Sequence, residues 1–325
     1  MTAATPTTDA APPTRMPARR WSTSRLGDGQ FATLLTLPVI VVLGLVVAYP
    51  TLYSLWMSFQ RIDLIFGTTD AVGFANYREA LSSPEVWHSV RVTLLYTALV
   101  TVFAVTIAVG GALLLNEKFR GRGFLMALVI LPWAVSLYAT AVVWKYIYSP
   151  EWGLLNAILQ QRLGLSDGPI LFLSERGAVP ALAVAHAWQI APLGMYFVLA
   201  TLQVIPEDLY KAAKVDRLGP LGRFRHVVLP YIKIPLSIVM VLITVEAARV
   251  FDIIFFMTNG GPGDASTTLT WDIYRQSFVN RNLGYGAAVA WILVILTTII
   301  TTVYFLLLFR NREKRPDKTA LGEVA

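Results

Sequence analysis

Apolar residues in this chain gather into six long runs, at about residues 31–59, 87–115, 123–148, 178–203, 231–256 and 285–309. Each run holds about 20 or more residues, enough for a helix to cross a hydrocarbon core of about 30 Å. Pro38, Pro50, Pro132, Pro192 and Pro235 lie inside the runs. Proline is tolerated in a spanning helix where neighbouring groups satisfy the freed backbone. The pattern predicts an all-α membrane protein with six transmembrane helices over 29–310. It also predicts a disordered tail over 1–28, rich in Thr, Pro and Ala, and a basic tail over 311–325.

Composition points to the same solvent. Of 325 residues, 55% are apolar and 14% charged, where a soluble domain carries about 25% charged residues. The absence of cysteine excludes disulfides, thiol catalysis and thiolate metal sites. His88, His186 and His226 show no metal-ligand spacing. A net charge of +7 invites a nucleic-acid reading, but the basic residues sit beside the apolar runs. With the N-terminus inside, seventeen lysines and arginines fall on the cytoplasmic side and six on the outer side. That bias predicts both termini in the cytoplasm of a bacterial cytoplasmic membrane. Trp56, Trp87, Trp133, Trp144 and Tyr146 lie near run ends, as interfacial aromatics do. The run after the tail is too long for a cleaved signal peptide and lacks a small-residue cleavage site. The pair Arg19-Arg20 is explained by orientation rather than by a twin-arginine signal.

One inner loop is long, 205–229, and it is patterned. Pro206 starts a helix whose positive end suits Glu207 and Asp208. Leu209, Ala212, Ala213 and Asp216 follow at helical spacing, and Gly219-Pro220 breaks the helix. Leu221, Phe224, Val227 and Val228 make a second apolar stripe. Periodicity predicts a helix-turn-helix that either lies on the headgroups or docks a cytosolic partner.

The segment Ile205-Pro206-Glu207-Asp208-Leu209-Tyr210-Lys211-Ala212-Ala213-Lys214-Val215-Asp216, with Phe224 and Leu229-Pro230, resembles the EAA coupling loop of binding-protein-dependent ABC importer permeases. Phe251-Asp252, Thr258-Asn259-Gly260-Gly261-Pro262, Gly284-Tyr285-Gly286-Ala287-Ala288, Pro132-Trp133, and Trp188 with Pro192 are similar to the carbohydrate branch of that family. The resemblance covers about 31–310. It implies the type I ABC importer permease fold, import of a sugar or sugar-like solute, and ATPase coupling through Glu207, Asp208, Lys211, Ala212, Ala213, Asp216, Gly219 and Phe224. It also implies three partners: a second, homologous permease subunit, a cytosolic ATPase dimer and an extracytoplasmic solute-binding protein. ATP and Mg would sit on the ATPase, leaving this chain without a cofactor or a catalytic residue. In keeping with that, no G-x-x-x-x-G-K-[ST] phosphate loop occurs. Two positions depart from the family. Lys211 stands where it usually has Glu, and Arg217 where it usually has Gly, so Gly219 is expected to take over the turn.

Polar residues inside the runs are the remaining candidates. Glu246, Arg249 and Asp252 recur at steps of three in run five, which predicts one helical face. Each charge costs about 2.5–3.5 kcal/mol at mid-bilayer, so the three form either an ion-pair ladder or a polar wall of a pathway. His186 and Gln189 in run four reach a similar depth, at 1.5 Å per residue. The resemblance places substrate-pathway positions at His186, Gln189, Ile190, Leu193, Ile243, Glu246, Ala247 and Val250. Trp188 supplies a flat face and Arg249 a cation. The family's maltose-contacting Asn and aromatic residues are not reproduced, so the solute is left open among a di- or oligosaccharide, a polyol and a glycerophosphate. An ion-coupled carrier would need an inverted repeat, which is not visible. A membrane enzyme would need convergent catalytic groups on a loop, also not visible.

Overall fold

The computed structural model describes residues 28–63 and 67–309. Both expected tails lie almost wholly outside the described residues. The chain divides into two units, 1–53 and 54–325.

The first unit is helical. Helix α1 (Asp28–Leu43) passes through a π-turn at Gly44–Ala48 into α2 (Tyr49–Ser58). The hydroxyls of Thr33, Thr36 and Thr51 donate to carbonyls four residues back, at 2.7–2.9 Å. This is how a hydroxyl is satisfied in an apolar helix without a neighbour.

The second unit opens with a two-stranded antiparallel ribbon, β1 (Gln60–Asp63) and β2 (Thr68–Ala71), in the register Gln60↔Ala71. Then come α3 (Ala75–Ser82), the 33-residue α4 (Pro84–Asn116), α5 (Arg122–Val129), α6 (Leu131–Ala134), α7 (Leu137–Ile147) and α8 (Leu154–Asn156). They are followed by α9 (Ala178–Leu202), α10 (Glu207–Val215), α11 (Pro220–Arg223), α12 (Leu229–Ala248), α13 (Asp252–Met257), α14 (Leu269–Tyr274) and α15 (Leu283–Phe309).

Among the described residues, five helical stretches are long and apolar enough to cross a membrane. The expected third span is not continuous. Its halves, 122–134 and 137–147, meet at 101° and make a sixth span only as a broken one. The reason is local. Pro132 brings no N–H to the ladder, Val135 is extended, and the Ser136 hydroxyl accepts from the Ala139 N–H to start α7.

The fifth span also ends earlier than expected. Helix α12 stops at Ala248, Arg249 and Phe251 leave helical geometry, and α13 restarts at Asp252. The ladder of charges at steps of three therefore does not run along one helix. Asp252 instead sits in the first turn of α13, where the helix dipole favours a carboxylate.

Helix α9 is the inner helix, with 72% of its most apolar window buried, against 33% for that of α4 and 11% for that of α15. Its contact with α4 is made by small side chains. Ala104, Ala108 and Ala112 recur every four residues on α4 and are fully buried. They bring that face against α9, whose Ala183, Ala187 and Ala191 are also fully buried. Small residues let backbones approach where lipid offers no hydrophobic drive between helices. Gly194 of α9 completes the seam. A Cβ there would lie 2.8 Å from Val239 Cγ1 of α12 and 3.2 Å from Ala108 Cβ of α4. Two cross-helix hydrogen bonds pin the same bundle, Tyr96 Oη to His186 Nδ1 at 2.8 Å and Thr101 to Thr244 at 3.1 Å.

Among the described residues three buried clusters form, one of them around Val86, Leu269, Tyr285 and Val289, and two belong to this bundle. One gathers Val100, Leu182, Ile190, Val239, Ile243 and Ile253. The other gathers Leu115, Val198, Leu202, Ile205, Ala213, Val227, Val228 and Ile232. The second cluster ties the 205–229 loop to the ends of α4, α9 and α12.

Candidate functional site: a polar cavity between α9, α12 and the broken span

A cavity of about 280 Å³ opens where α9 and α12 diverge beside the break in the third span. Helix α9 contributes His186, Gln189, Ile190, Leu193, Gly194 and Phe197. Helix α12 contributes Val239, Leu242, Ile243 and Glu246. The break contributes Trp133 and Leu137. The polar groups are few and set among apolar walls, which is the usual make-up of a small-molecule site.

Each polar group is held by its neighbours. His186 is 1% exposed, and its Nδ1 is bonded to Tyr96 Oη. The Gln189 amide N–H groups point at the carbonyls of Val135, at 3.3 Å, and Trp133, at 3.5 Å. These carbonyls are among those freed by the break, so Gln189 both seals the kink and presents its Oε1 elsewhere. Arg249 Nη2 donates to Glu246 Oε1 at 2.8 Å, and its Nε donates to the Val245 carbonyl at 3.4 Å. Both side chains of that pair are more than half exposed, at 57% and 55%.

Of the residues expected from sequence, the fold brings His186, Gln189, Leu193 and Glu246 to this cavity, together with Ile190 and Ile243. Helices α9 and α12 are neighbours, so their polar groups do meet at one level. Arg249 does not line the cavity and reaches it only through Glu246. Trp188 points elsewhere, edge-to-face on Trp144 with centroids 5.8 Å apart. Ala247 and Val250 are 1% and 3% exposed and belong to the buried core.

Sequence reasoning missed Trp133, Leu137, Gly194, Phe197, Val239 and Leu242 as lining residues. Phe197 lies two four-residue steps after Gln189, and Leu242 four before Glu246, so extending the helical stripe finds them. Trp133 and Leu137 were legible only through Pro132 and the capping Ser136, which mark a break.

The loop over 205–229 forms one separate short helix, α10; the second expected helix, from Pro220, instead runs on through a π-turn at Phe224–Val228 into α12, because nothing after Gly219-Pro220 interrupts the helical backbone. Pro206 precedes α10, and Glu207 and Asp208 occupy its first turn. Asp208 pairs with Lys211 at 2.8 Å, both well exposed. The end of α10 differs from expectation. Gly219 has an ordinary negative φ, and Arg217 itself takes the left-handed conformation at φ +54°. Leu218 N–H donates to the Ala213 carbonyl and Arg217 N–H to the Lys214 carbonyl. That is a Schellman cap with Arg in the place usually held by Gly.

The predicted apolar stripes also divide. Ala213, Val227 and Val228 are buried, while Leu209, Val215 and Leu221 are 37%, 82% and 78% exposed. Ala212 and Asp216 are exposed with them, and Phe224 is half-buried. The Tyr210 phenol is pushed above its usual pKa, first by burial and then by the Glu117 carboxylate at the end of α4.

Two of the connections between helices are braced by single side chains. Asn76 Nδ2 donates to the Ser58 and Gln60 carbonyls, both at 2.9 Å. Asn156 donates to the Ser149 and Ile170 carbonyls and accepts from Ile170 N–H.

Comparison with known proteins locates this architecture. Residues 101–313 match the family described as binding-protein-dependent transport system inner membrane component. The trehalose/maltose transport system permease protein MalF of Thermococcus litoralis is 34% identical, over 85% of this chain and 93% of that one. The sulfoquinovosyl glycerol transport system permease protein SmoG of Agrobacterium fabrum is 33% identical, over 86% and 90%. The sn-glycerol-3-phosphate transport system permease protein UgpA of the same species is 31% identical, over 84% and 92%. A chain from the crystal structure of a bacterial ABC transporter involved in import of the acidic polysaccharide alginate superposes with a TM-score of 0.74, covering 87% of this chain and 96% of that one at 20% identity. The fold is that of the type I ABC importer permeases, and this multi-pass membrane protein belongs to the family of binding-protein-dependent transport system inner membrane components.

Proposed function

We propose that this chain is a non-catalytic permease subunit that carries a sugar or sugar-like solute across the cytoplasmic membrane, with both termini inside. Its cavity between α9, α12 and the broken span holds the solute in transit. The solute arrives from an extracytoplasmic binding protein. A second, homologous permease subunit completes the pathway, and a cytosolic ATPase dimer drives it.

The observation that carries this reading is the convergence of His186, Gln189 and Glu246 in an otherwise apolar cavity beside two helix breaks. Sugar hydroxyls need such hydrogen-bonding groups, and ring C–H faces need apolar or aromatic walls such as Trp133 and Phe197. His186 Nε2 and Gln189 Oε1 have no partner among the described residues, which leaves both for a ligand. The breaks supply the means of opening, because short helices joined at non-helical residues swing with small changes in φ and ψ.

The 205–229 knob supplies the drive. Its exposed Leu209, Ala212, Val215 and Leu221 suit a groove on the ATPase. Its buried Ala213, Val227 and Val228 pack with Leu115, Leu202 and Ile232, so displacement of the knob moves α4, α9 and α12 together. Names of the relatives, which cover trehalose/maltose, sulfoquinovosyl glycerol and sn-glycerol 3-phosphate, support a sugar-like solute.

The test is purification of this chain expressed with its neighbouring genes. An ATPase that co-purifies, and is stimulated by one liganded binding protein, supports the reading. A chain that purifies with no ATPase attached refutes it.

A further inference from the structure

We infer that the cavity selects by charge: Glu246 admits a neutral polyhydroxylated solute and excludes one that bears a phosphate or sulfonate. This rests on the importer reading above and narrows it.

Among the residues that line the cavity, Glu246 is the one carboxylate, and no lysine or arginine is among them. A bound phosphate would meet that carboxylate at close range, where like charges repel.

The nearest cation does not offset it. Arg249 is outside the lining, beyond the end of α12, with Nη2 committed to Glu246 Oε1 and Nε to the Val245 carbonyl. A guanidinium grips a phosphate by presenting two parallel N–H groups. Here Nε and Nη2 are each bonded within the protein, which engages the side-on pair of N–H groups and leaves Nη1.

Hydrogen-bond polarity points the same way. The Gln189 N–H groups are spent on the Trp133 and Val135 carbonyls, so the side of Gln189 left for a ligand is its acceptor oxygen. Glu246 offers acceptor oxygens as well. A phosphate dianion or a sulfonate has only acceptors and finds acceptors at both; His186 Nε2, donor or acceptor according to its tautomer, is open to either kind of solute. Sugar hydroxyls donate to Gln189 and Glu246 alike. A polar group buried against an unsuitable partner is strongly disfavoured.

The charge assignment is tested on the assembled transporter in nanodiscs by thermal stabilisation with trehalose, maltose, glycerol and sn-glycerol 3-phosphate. The expected result is that at least one neutral solute stabilises the wild type at a concentration about tenfold or more below that of glycerol 3-phosphate. Glu246→Gln, which keeps the shape and removes the charge, narrows that ratio by about tenfold. Arg249→Gln, which strips the carboxylate of its counter-ion, widens it. Equal stabilisation of the wild type by glycerol 3-phosphate overturns the inference, as do no response to any neutral solute and an unchanged ratio in Glu246→Gln. In those cases an ATPase that still co-purifies leaves the importer reading standing. Its absence sinks both.

Discussion

At the scale of single residues, the cavity's polar groups and the loop's cap behave differently towards stability and function. The Glu246–Arg249 pair is more than half exposed, and exposed pairs contribute about 0–1 kcal/mol. Glu246→Ala and Arg249→Ala should therefore leave the melting temperature of the purified chain almost unchanged and lower solute uptake at least several-fold. Uptake at the wild-type rate in both variants would remove Glu246 from the pathway. Arg217 presents the opposite case. Its left-handed backbone costs about 1–2 kcal/mol for an L-residue, and glycine adopts it freely. Arg217→Gly should stabilise the Schellman cap by up to about 1 kcal/mol, read as greater protection of the Leu218 amide from hydrogen exchange. Equal or lower protection would mean that the Arg side chain holds the turn in another way.

At the scale of elements, the seam between α4, α9 and α12 leaves little room. A Cβ at Gly194 would meet both Val239 and Ala108, and overpacking a close-packed core costs about 1–3 kcal/mol. Gly194→Val should lower the melting temperature and the yield of folded chain, while Gly123→Val, at an exposed position with open space around it, should not. Equal behaviour of the two would place the helices further apart than described. The break in the third span illustrates how an element can be missed. Hydrophobicity over 123–148 is continuous, so the run reads as one helix. Pro132, extended Val135 and the Ser136 cap divide it, and the division creates the wall that carries Trp133 and Leu137.

At the scale of the whole molecule, the knob and the cavity are joined by one packed cluster through α9 and α12. A charge placed in that joint should uncouple the two ends. Ala213→Asp, at a position 3% exposed, should abolish solute-stimulated ATPase activity in the assembled complex. Lys211→Glu should retain the ATPase subunits, because Lys211 is exposed and paired only with Asp208. Loss of the ATPase on co-purification of Lys211→Glu would show that its charge is matched by the partner.

Much of this protein was determined by the sequence alone, and the physical reason is the solvent. Hydrocarbon forces backbone groups to be satisfied within helices, so the six apolar runs mark where the chain can cross; among the described residues five are continuous spans and the third is a broken one. The amphipathic repeat over 205–229 likewise specified helix α10 and a helical start at Pro220, and His186, Gln189 and Glu246 stood out because polar groups in lipid are costly. Tertiary structure decided what local periodicity does not encode. It ended α12 at Ala248, and it turned Trp188, Ala247 and Val250 away from the cavity. It gave the left-handed turn to Arg217 rather than Gly219. The side-chain placements depend on which face of a helix meets a neighbour, and that is set by the fit of small residues such as Gly194 across three helices.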